Sequence, residues 1–237
     1  MRIRLDLSYV GTRYSGWQKQ PNRLTVQGVL EETLSQLFSS PVAVTGAGRT
    51  DTGVHARHQV AHFDAPKSRP SADELVRILN RLLPPDLSIL RSREVSDRFH
   101  ARRSARRREY LYRLLISPIP DPYRLPYVWY YPLGRELSMS LMKRSAASWT
   151  GTRNFSRFSA HLADGGRGPR AIRNMERIEI QIHKDEIRFR FVADAFLYRM
   201  VRRMVAYLVA RGSGKRIRRP DYTAPAQGLH LERVRYR

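Results

Sequence analysis

Along the amino-terminal residues, apolar Ile3, Leu5, Leu7 and Tyr9 alternate with polar Arg2, Arg4, Asp6 and Ser8, the period-two pattern of a half-buried strand. After a turn-forming stretch from Gly11 to Gln20 the period changes. Val26, Val29, Leu30, Leu34 and Leu37 recur at helical spacing, and Thr25 stands where a side chain would cap the first turn. Pro41 to Thr45 and His58 to Asp64 read as strands separated by a glycine-bearing loop. A second helix carries Leu75, Ile78, Leu79 and Leu82 on one face, with Ser71 and Glu74 forming a capping box. Pro84 and Pro85 stop it, and Leu87 to Val95 is a further strand. The predicted order is β-α-β-β-α-β.

Beyond the arginine-rich stretch Arg102 to Arg108 the same order returns. Tyr110, Tyr112, Leu114 and Ile116 share one face of a strand, and a proline- and tyrosine-rich passage, Pro118 to Pro132, leads to a helix near Ser138 to Trp149. Ile178, Ile180 and Ile182 alternate with polar residues, a turn follows at Lys184 and Asp185, and Ile187, Phe189 and Phe191 form the returning strand. A helix is predicted over Phe196 to Ala210, burying Leu197, Met200, Val201, Met204, Val205 and Leu208. The last strand, Leu229 to Tyr236, shifts its apolar parity between Leu231 and Val234, which predicts a bulge. The expected class is therefore α+β, two split β-α-β halves over residues 1–103 and 104–237. Joined through a shared antiparallel sheet, they would leave a cleft between them.

Charge then narrows the field of partners. The chain has 237 residues and a formal net charge of +23, which points toward a polyanion, nucleic acid first. There is no cysteine, so disulfides, Cys-ligated zinc and thiol nucleophiles are excluded together. No run approaches the roughly 20 apolar residues that span a bilayer, and the first residues lack the apolar core of a signal peptide, so a soluble cytoplasmic protein is expected.

The stretch Gly46 to Ala56 (Gly-Ala-Gly-Arg-Thr-Asp-Thr-Gly-Val-His-Ala) is the most site-like. Asp51 lies in its middle, with Arg49, Thr50 and Thr52 as donors around the carboxylate, and Gly46, Gly48 and Gly53 free to take positive φ and approach a ligand. A plain turn whose Asp bonds its own backbone would use the same residue types. Tyr110, directly after Arg106, Arg107 and Arg108, places an aromatic ring beside clustered cations, as stacking on an extruded base would require; an ordinary core tyrosine fits the periodicity as well. In the last helix Arg202 lies nearer the apolar boundary than Arg199 or Arg203, which best aims it into a cleft. His55, His58 and His62 do not compose a metal site, since on a strand His58 and His62 stand too far apart and no clustered acid completes the set. A two-carboxylate glycosidase lacks a second acid to pair with Asp51, and a phosphate-binding loop lacks its third glycine and its lysine.

Gly48-Arg-Thr-Asp-Thr-Gly-Val-His-Ala56 resembles the signature of the tRNA pseudouridine synthase A family, and the resemblance runs nearly end to end. Tyr9 to Gln20, Thr25-Val-Gln-Gly28, Phe99-His-Ala-Arg102 leading to Tyr110, Gly151 to Phe158, Phe196 to Arg202 and Thr223 to Leu229 are similar to its other blocks, in order. The resemblance implies two ferredoxin-like halves around a shared sheet, with the site between them. It implies that Asp51 is the nucleophilic carboxylate, that Tyr110 stacks on the target uracil, that Arg202 pairs with Asp51, and that Arg49 helps to hold the flipped-out base. The cationic run Arg106, Arg107 and Arg108 would contact the RNA. The implied reaction converts uridine to pseudouridine at positions 38 to 40 of tRNA, by a homodimer that needs neither metal nor organic cofactor. Two departures stand out: Thr52 replaces the more usual alanine, and the segment between Ala210 and Thr223 is short for the family. A noncatalytic RNA-binding protein with two RRM-like halves and a base-excising nucleosidase are the competing readings, and nucleoside analysis of treated tRNA separates all three.

Overall fold

A computed structural model describes residues 1–66, 70–160 and 171–236. The architecture is α+β, with mostly antiparallel strands and four α-helices. By contacts the chain divides into two compact units, one formed by Met1–Arg106 with Leu231–Arg237 and the other by Arg107–His230. A division at residue 103 treats the halves as consecutive; the chain instead returns its last seven residues to the first unit.

The first unit contains β1 (Arg2–Tyr9), α1 (Val26–Phe38), β2 (Thr45–Gly46), β3 (His55–Asp64), α2 (Ala72–Leu82) and β4 (Leu87–Val95). β1 lies between β4 and β3, antiparallel to both, and β2 is a two-residue strand beside β3. Both helix starts form as the sequence predicts. Thr25 accepts the Gly28 amide at 3.2 Å. Ser71 and Glu74 close a reciprocal capping box that satisfies two otherwise orphaned amides. Two strand expectations need correction. Of the predicted strand Pro41–Thr45 only Thr45 belongs to one, and β3 begins three residues before His58.

The third correction concerns β1, which is not half-buried. Arg4 and Asp6 are as buried as their apolar neighbours, because the segment after β4 and the end of the chain fold over the polar face. Arg4 Nε donates to Asp6 Oδ1 at 2.6 Å, and its guanidinium lies 4.5 Å from the centre of the Tyr236 ring. Tyr236 in turn donates to the Ala101 carbonyl at 2.6 Å. Burial alone would raise the Asp6 pKa, but hydrogen bonds from His58 and Arg4 bring it below the ordinary carboxylate value.

The second unit contains β5 (Arg107–Leu115), β6 (Trp129–Tyr130), α3 (Met139–Ala147), β7 (Gly151–Asn154), β8 (Ile172–His183), β9 (Glu186–Ala193) and α4 (Met200–Gly212). Its strand order is β5-β9-β8-β7, antiparallel throughout, with β6 parallel to β5. The last strand, β10 (Leu229–Arg235), starts in this unit and ends in the first. An ionic cluster ties the proline- and tyrosine-rich passage to the β8–β9 hairpin. Arg124 binds Asp185 at 2.7 Å and Glu186 at 2.5 Å, while Arg113 and Arg188 hold the same buried Glu186. Burial would raise the Glu186 pKa, but these guanidinium donors pull it down to about 2.

The predicted helix Phe196–Ala210 starts four residues late, at Met200. Arg199 sits in the left-handed region at φ 57°, which breaks the helical path and leaves Phe196 and Leu197 outside regular structure and Tyr198 in a turn. Leu197 is consequently half-buried and not a core residue.

Candidate active site

Asp51 lies on the connection from β2 to β3, half-buried, at the first position of a turn closed by Val54 N–H donating to the Asp51 carbonyl at 3.1 Å. Gly53, the third residue of that turn, has φ +78°, a conformation that favours glycine. The turn rests on a second segment of the first unit, Gly11 to Gln18. The Trp17 amide donates to the Thr50 carbonyl at 3.1 Å, the Gly11 amide to His55 Nδ1 at 3.1 Å and the Gly53 amide to the Tyr14 carbonyl at 3.4 Å. Tyr9 and Thr50 share a buried hydroxyl–hydroxyl bond of 2.8 Å. Burial pushes the Tyr9 phenol up to about 12, so it stays protonated for this bond at neutral pH.

Two glycines make the close approach possible. Gly16 has φ +88°, and a Cβ there would lie 2.6 Å from the Thr50 carbonyl oxygen and 3.2 Å from the Asp51 carbonyl carbon. A Cβ on Gly11 would collide with the Val54 carbonyl. Sequence reasoning assigned these residues no role; the signal was present in the block Tyr9–Gln20, whose spacing from the Asp51 loop is meaningful only once the two segments pack.

The roles of the loop's own glycines also differ from expectation. Of Gly46, Gly48 and Gly53, only Gly53 takes a positive φ. Gly46 admits the Trp17 ring, whose atoms would lie 2.5 Å from a Cβ. Around Gly48 a Cβ would meet nothing within 4 Å, so the chain leaves open space two residues from Arg49's neighbour Thr50 and three from Asp51. Gln59 Nε2 fixes the Gly48 carbonyl at 2.9 Å.

Arg49 is exposed, and a relay of amides orients it. Its Nε donates to Gln18 Oε1 at 2.8 Å, Gln18 donates to Gln27 Oε1 at 2.7 Å, and Gln27 donates to Glu31 Oε1 at 2.9 Å. Glu31 is buried and also accepts the Val44 amide at 3.0 Å and Lys19 Nζ at 3.0 Å. The guanidinium therefore faces a prearranged acceptor with its remaining N–H groups available in direction, which is how an arginine fork is set for an anion.

Of the other predicted residues, all but Arg106 belong to the second unit. Tyr110, on β5, is buried, and its ring meets Phe196 edge-on at 5.0 Å and 86°. Arg202, in the first turn of α4, donates from Nε to the Ala224 carbonyl at 2.7 Å, and the Ala224 amide returns a bond of 3.3 Å to the Arg202 carbonyl. Its charge also acts on Tyr112, whose phenol burial raises well above its ordinary value and whose O–H donates to the Pro225 carbonyl at 2.8 Å. Of the predicted RNA contacts, Arg106 is exposed, Arg107 is paired with Glu176 at 2.7 Å, and Arg108 donates to the Asp194 carbonyl at 2.6 Å.

The three histidines are occupied within the first unit. His55 accepts from Gly11, His58 from Val234, and His62 from the Ala101 amide at 3.2 Å. Burial, together with the charge of Arg2, lowers the His62 pKa to about 4, so it is neutral at pH 7. Among the described residues, no three His, Cys, Asp or Glu side chains gather to hold a metal, and no helix is long and apolar enough to cross a membrane.

The family model for tRNA pseudouridine synthases matches residues 7–102 and 146–237, and the chain belongs to that family. It is 36% identical to a tRNA pseudouridine synthase A from Thermodesulfovibrio yellowstonii over 257 aligned positions, covering all of both chains. With the protein of that name from Exiguobacterium it shares 38% over 99% of this chain and 98% of the other. With that from Halalkalibacterium halodurans it shares 41% over 91% of this chain and 80% of the other. Membership makes the protein an enzyme, an isomerase that modifies tRNA.

Proposed function

We propose that the protein converts uridine to pseudouridine at positions 38 to 40 of the tRNA anticodon stem-loop, with Asp51 as the nucleophilic carboxylate. The observation that carries this reading is the cradle around Asp51. Two glycines, a buried phenol and three backbone bonds hold a half-buried acid in the same loop as Gly48, where a Cβ would meet nothing within 4 Å. In this reading the target base is flipped out of the RNA to reach Asp51, and the enzyme acts as a homodimer. Tyr110 stacks on the uracil, Arg202 pairs with Asp51, and Arg49 with the Arg106–Arg108 run holds the extruded strand.

The chemistry is an isomerisation in which no atom is gained or lost. As the N1–C1′ bond breaks, the bonding pair leaves with the uracil and Asp51 stabilises the electron-poor C1′. The held ring turns, C5 bonds to C1′, the proton on C5 departs and N1 regains one.

Unmodified tRNA incubated with wild type and with Asp51→Ala, followed by nucleoside analysis, tests the proposal. Pseudouridine from wild type alone, with both proteins binding tRNA, is expected. Free uracil would indicate a nucleosidase, and unchanged tRNA a noncatalytic binder; either result overturns the proposal.

A further inference from the structure

The segment after α4 is short but highly charged. From Arg211 to Thr223 it carries Arg211, Lys215, Arg216, Arg218 and Arg219 against a single acid, Asp221. Lys215, Arg216, Arg218 and Arg219 are exposed. Among the described residues, no carboxylate is ion-paired with Lys215, Arg216 or Arg218.

This segment is pinned to the helix it follows. The Lys215 amide donates to the Ala210 carbonyl at 3.1 Å, Arg203 Nη2 donates to the Pro220 carbonyl at 3.1 Å, and the Tyr222 ring meets Trp129 at 6.2 Å and 79°. Farther along, Ala224 and Arg202 exchange the two bonds described above. The strap thus doubles back along α4 and ends on Arg202.

We propose that this strap, with Arg199 and Arg203 at the start of α4, is a phosphate-binding rail for the sugar-phosphate backbone of the RNA substrate. The inference deepens the tRNA reading and rests on it. Three features support it. Like charges converge on Arg203: burial, and then the charges of Arg219 and Arg199, hold its guanidinium below its ordinary value. The Arg203 Nε is buried with no hydrogen-bond partner. A phosphate would supply the missing counter-charge, and arginine forks match phosphate oxygens in geometry. Finally, a rail already fixed at Ala210, Pro220 and Ala224 loses little freedom when it binds, which favours a lasting contact over a floppy cationic tail.

The contacts would be independent of base sequence, so salt dependence is the readout. In an Asp51→Ala background, which removes turnover, a fluorescent unmodified anticodon stem-loop RNA is titrated at several salt concentrations. The triple variant Arg216→Gln, Arg218→Gln, Arg219→Gln should weaken binding at least tenfold. Its log Kd against log salt should be shallower by about 2, at roughly 0.7 to 0.9 per lost phosphate contact. A control triple, Arg135→Gln, Lys143→Gln, Arg144→Gln, removes the same charge from an exposed part of the same unit and should weaken binding less than threefold. The lysine triple Arg216→Lys, Arg218→Lys, Arg219→Lys keeps the charge and should retain the wild-type slope, which separates charge from folding. The rail is overturned if the strap triple weakens binding no more than the control, or if the lysine triple loses as much as the glutamine triple. Pseudouridine formation by the wild type is read separately, so failure of the tRNA reading is distinguished from failure of the rail.

Discussion

Asp51 and Arg202 are held by different kinds of contact. Around Asp51 the first unit relies on backbone amides: those of Trp17 and Gly53 bond backbone carbonyls, that of Gly11 bonds His55 Nδ1, and Gly16 approaches the Thr50 carbonyl more closely than any side chain would permit. Around Arg202 the second unit uses a side chain against a strap, with Arg202 Nε on the Ala224 carbonyl, and elsewhere in that unit ion pairs tie the proline- and tyrosine-rich passage to the β8–β9 hairpin. The first arrangement tolerates almost no change of residue. The second depends on charge, and each contact can be weakened by degrees.

The largest effect should come from breaking the first arrangement. Gly11→Ala drives a methyl into the Val54 carbonyl and should cost about 3 kcal/mol or more, seen as a lowered denaturation midpoint together with lost activity. If Gly11→Ala is as stable as wild type, the cradle is not the rigid support described.

The ionic character of the second unit should appear in acid. Glu186 has a folded-state pKa of about 2 against an ordinary value of 4.5. A depressed carboxyl contributes stability that is fully present above its unfolded value and is lost as pH falls through the folded one. Denaturant unfolding should therefore show wild type losing about 3 kcal/mol between pH 5 and pH 2. The gap between wild type and Glu186→Gln should close over the same range, and a gap that does not change with pH would refute the assignment.

Arg202→Lys keeps the charge but loses the Nε donor to Ala224. A ten- to hundredfold fall in kcat is expected, about 1.4 to 2.7 kcal/mol in the barrier, with little change in thermal midpoint. Full activity would mean that the geometry at Ala224 is immaterial.

The smallest stability effect belongs to Gly48→Ala. The added methyl meets nothing, so folding should shift by no more than about 0.5 kcal/mol, while turnover of tRNA falls because substrate needs that space. Unchanged turnover would show that the open space is not used.

Much of the scaffold was legible from sequence, because its signals are local. A threonine before a helical stripe, a Ser/Glu pair three residues apart and two prolines after a leucine face fixed α1 and α2 closely. The Asp51 loop was legible as a loop because glycine and threonine cluster there. The misjudged features depend on contacts distant in sequence or on one unusual dihedral. Nothing in Arg199 announces a left-handed φ, so the helix was drawn through it. The alternation in β1 correctly marked two faces, but it could not reveal that Tyr236 would cover the polar one. The service of Gly11 and Gly16 to Asp51 is likewise a matter of packing.

The return of residues 231–236 to the first unit has a consequence for synthesis. Tyr236 covers Arg4, and Val234 bonds His58, so the earliest strands receive this cover only once residues 234–236 have been made. A nascent chain halted anywhere before residue 231 would leave that charged face wet, and the amino-terminal unit should mature after the segment it precedes in translation.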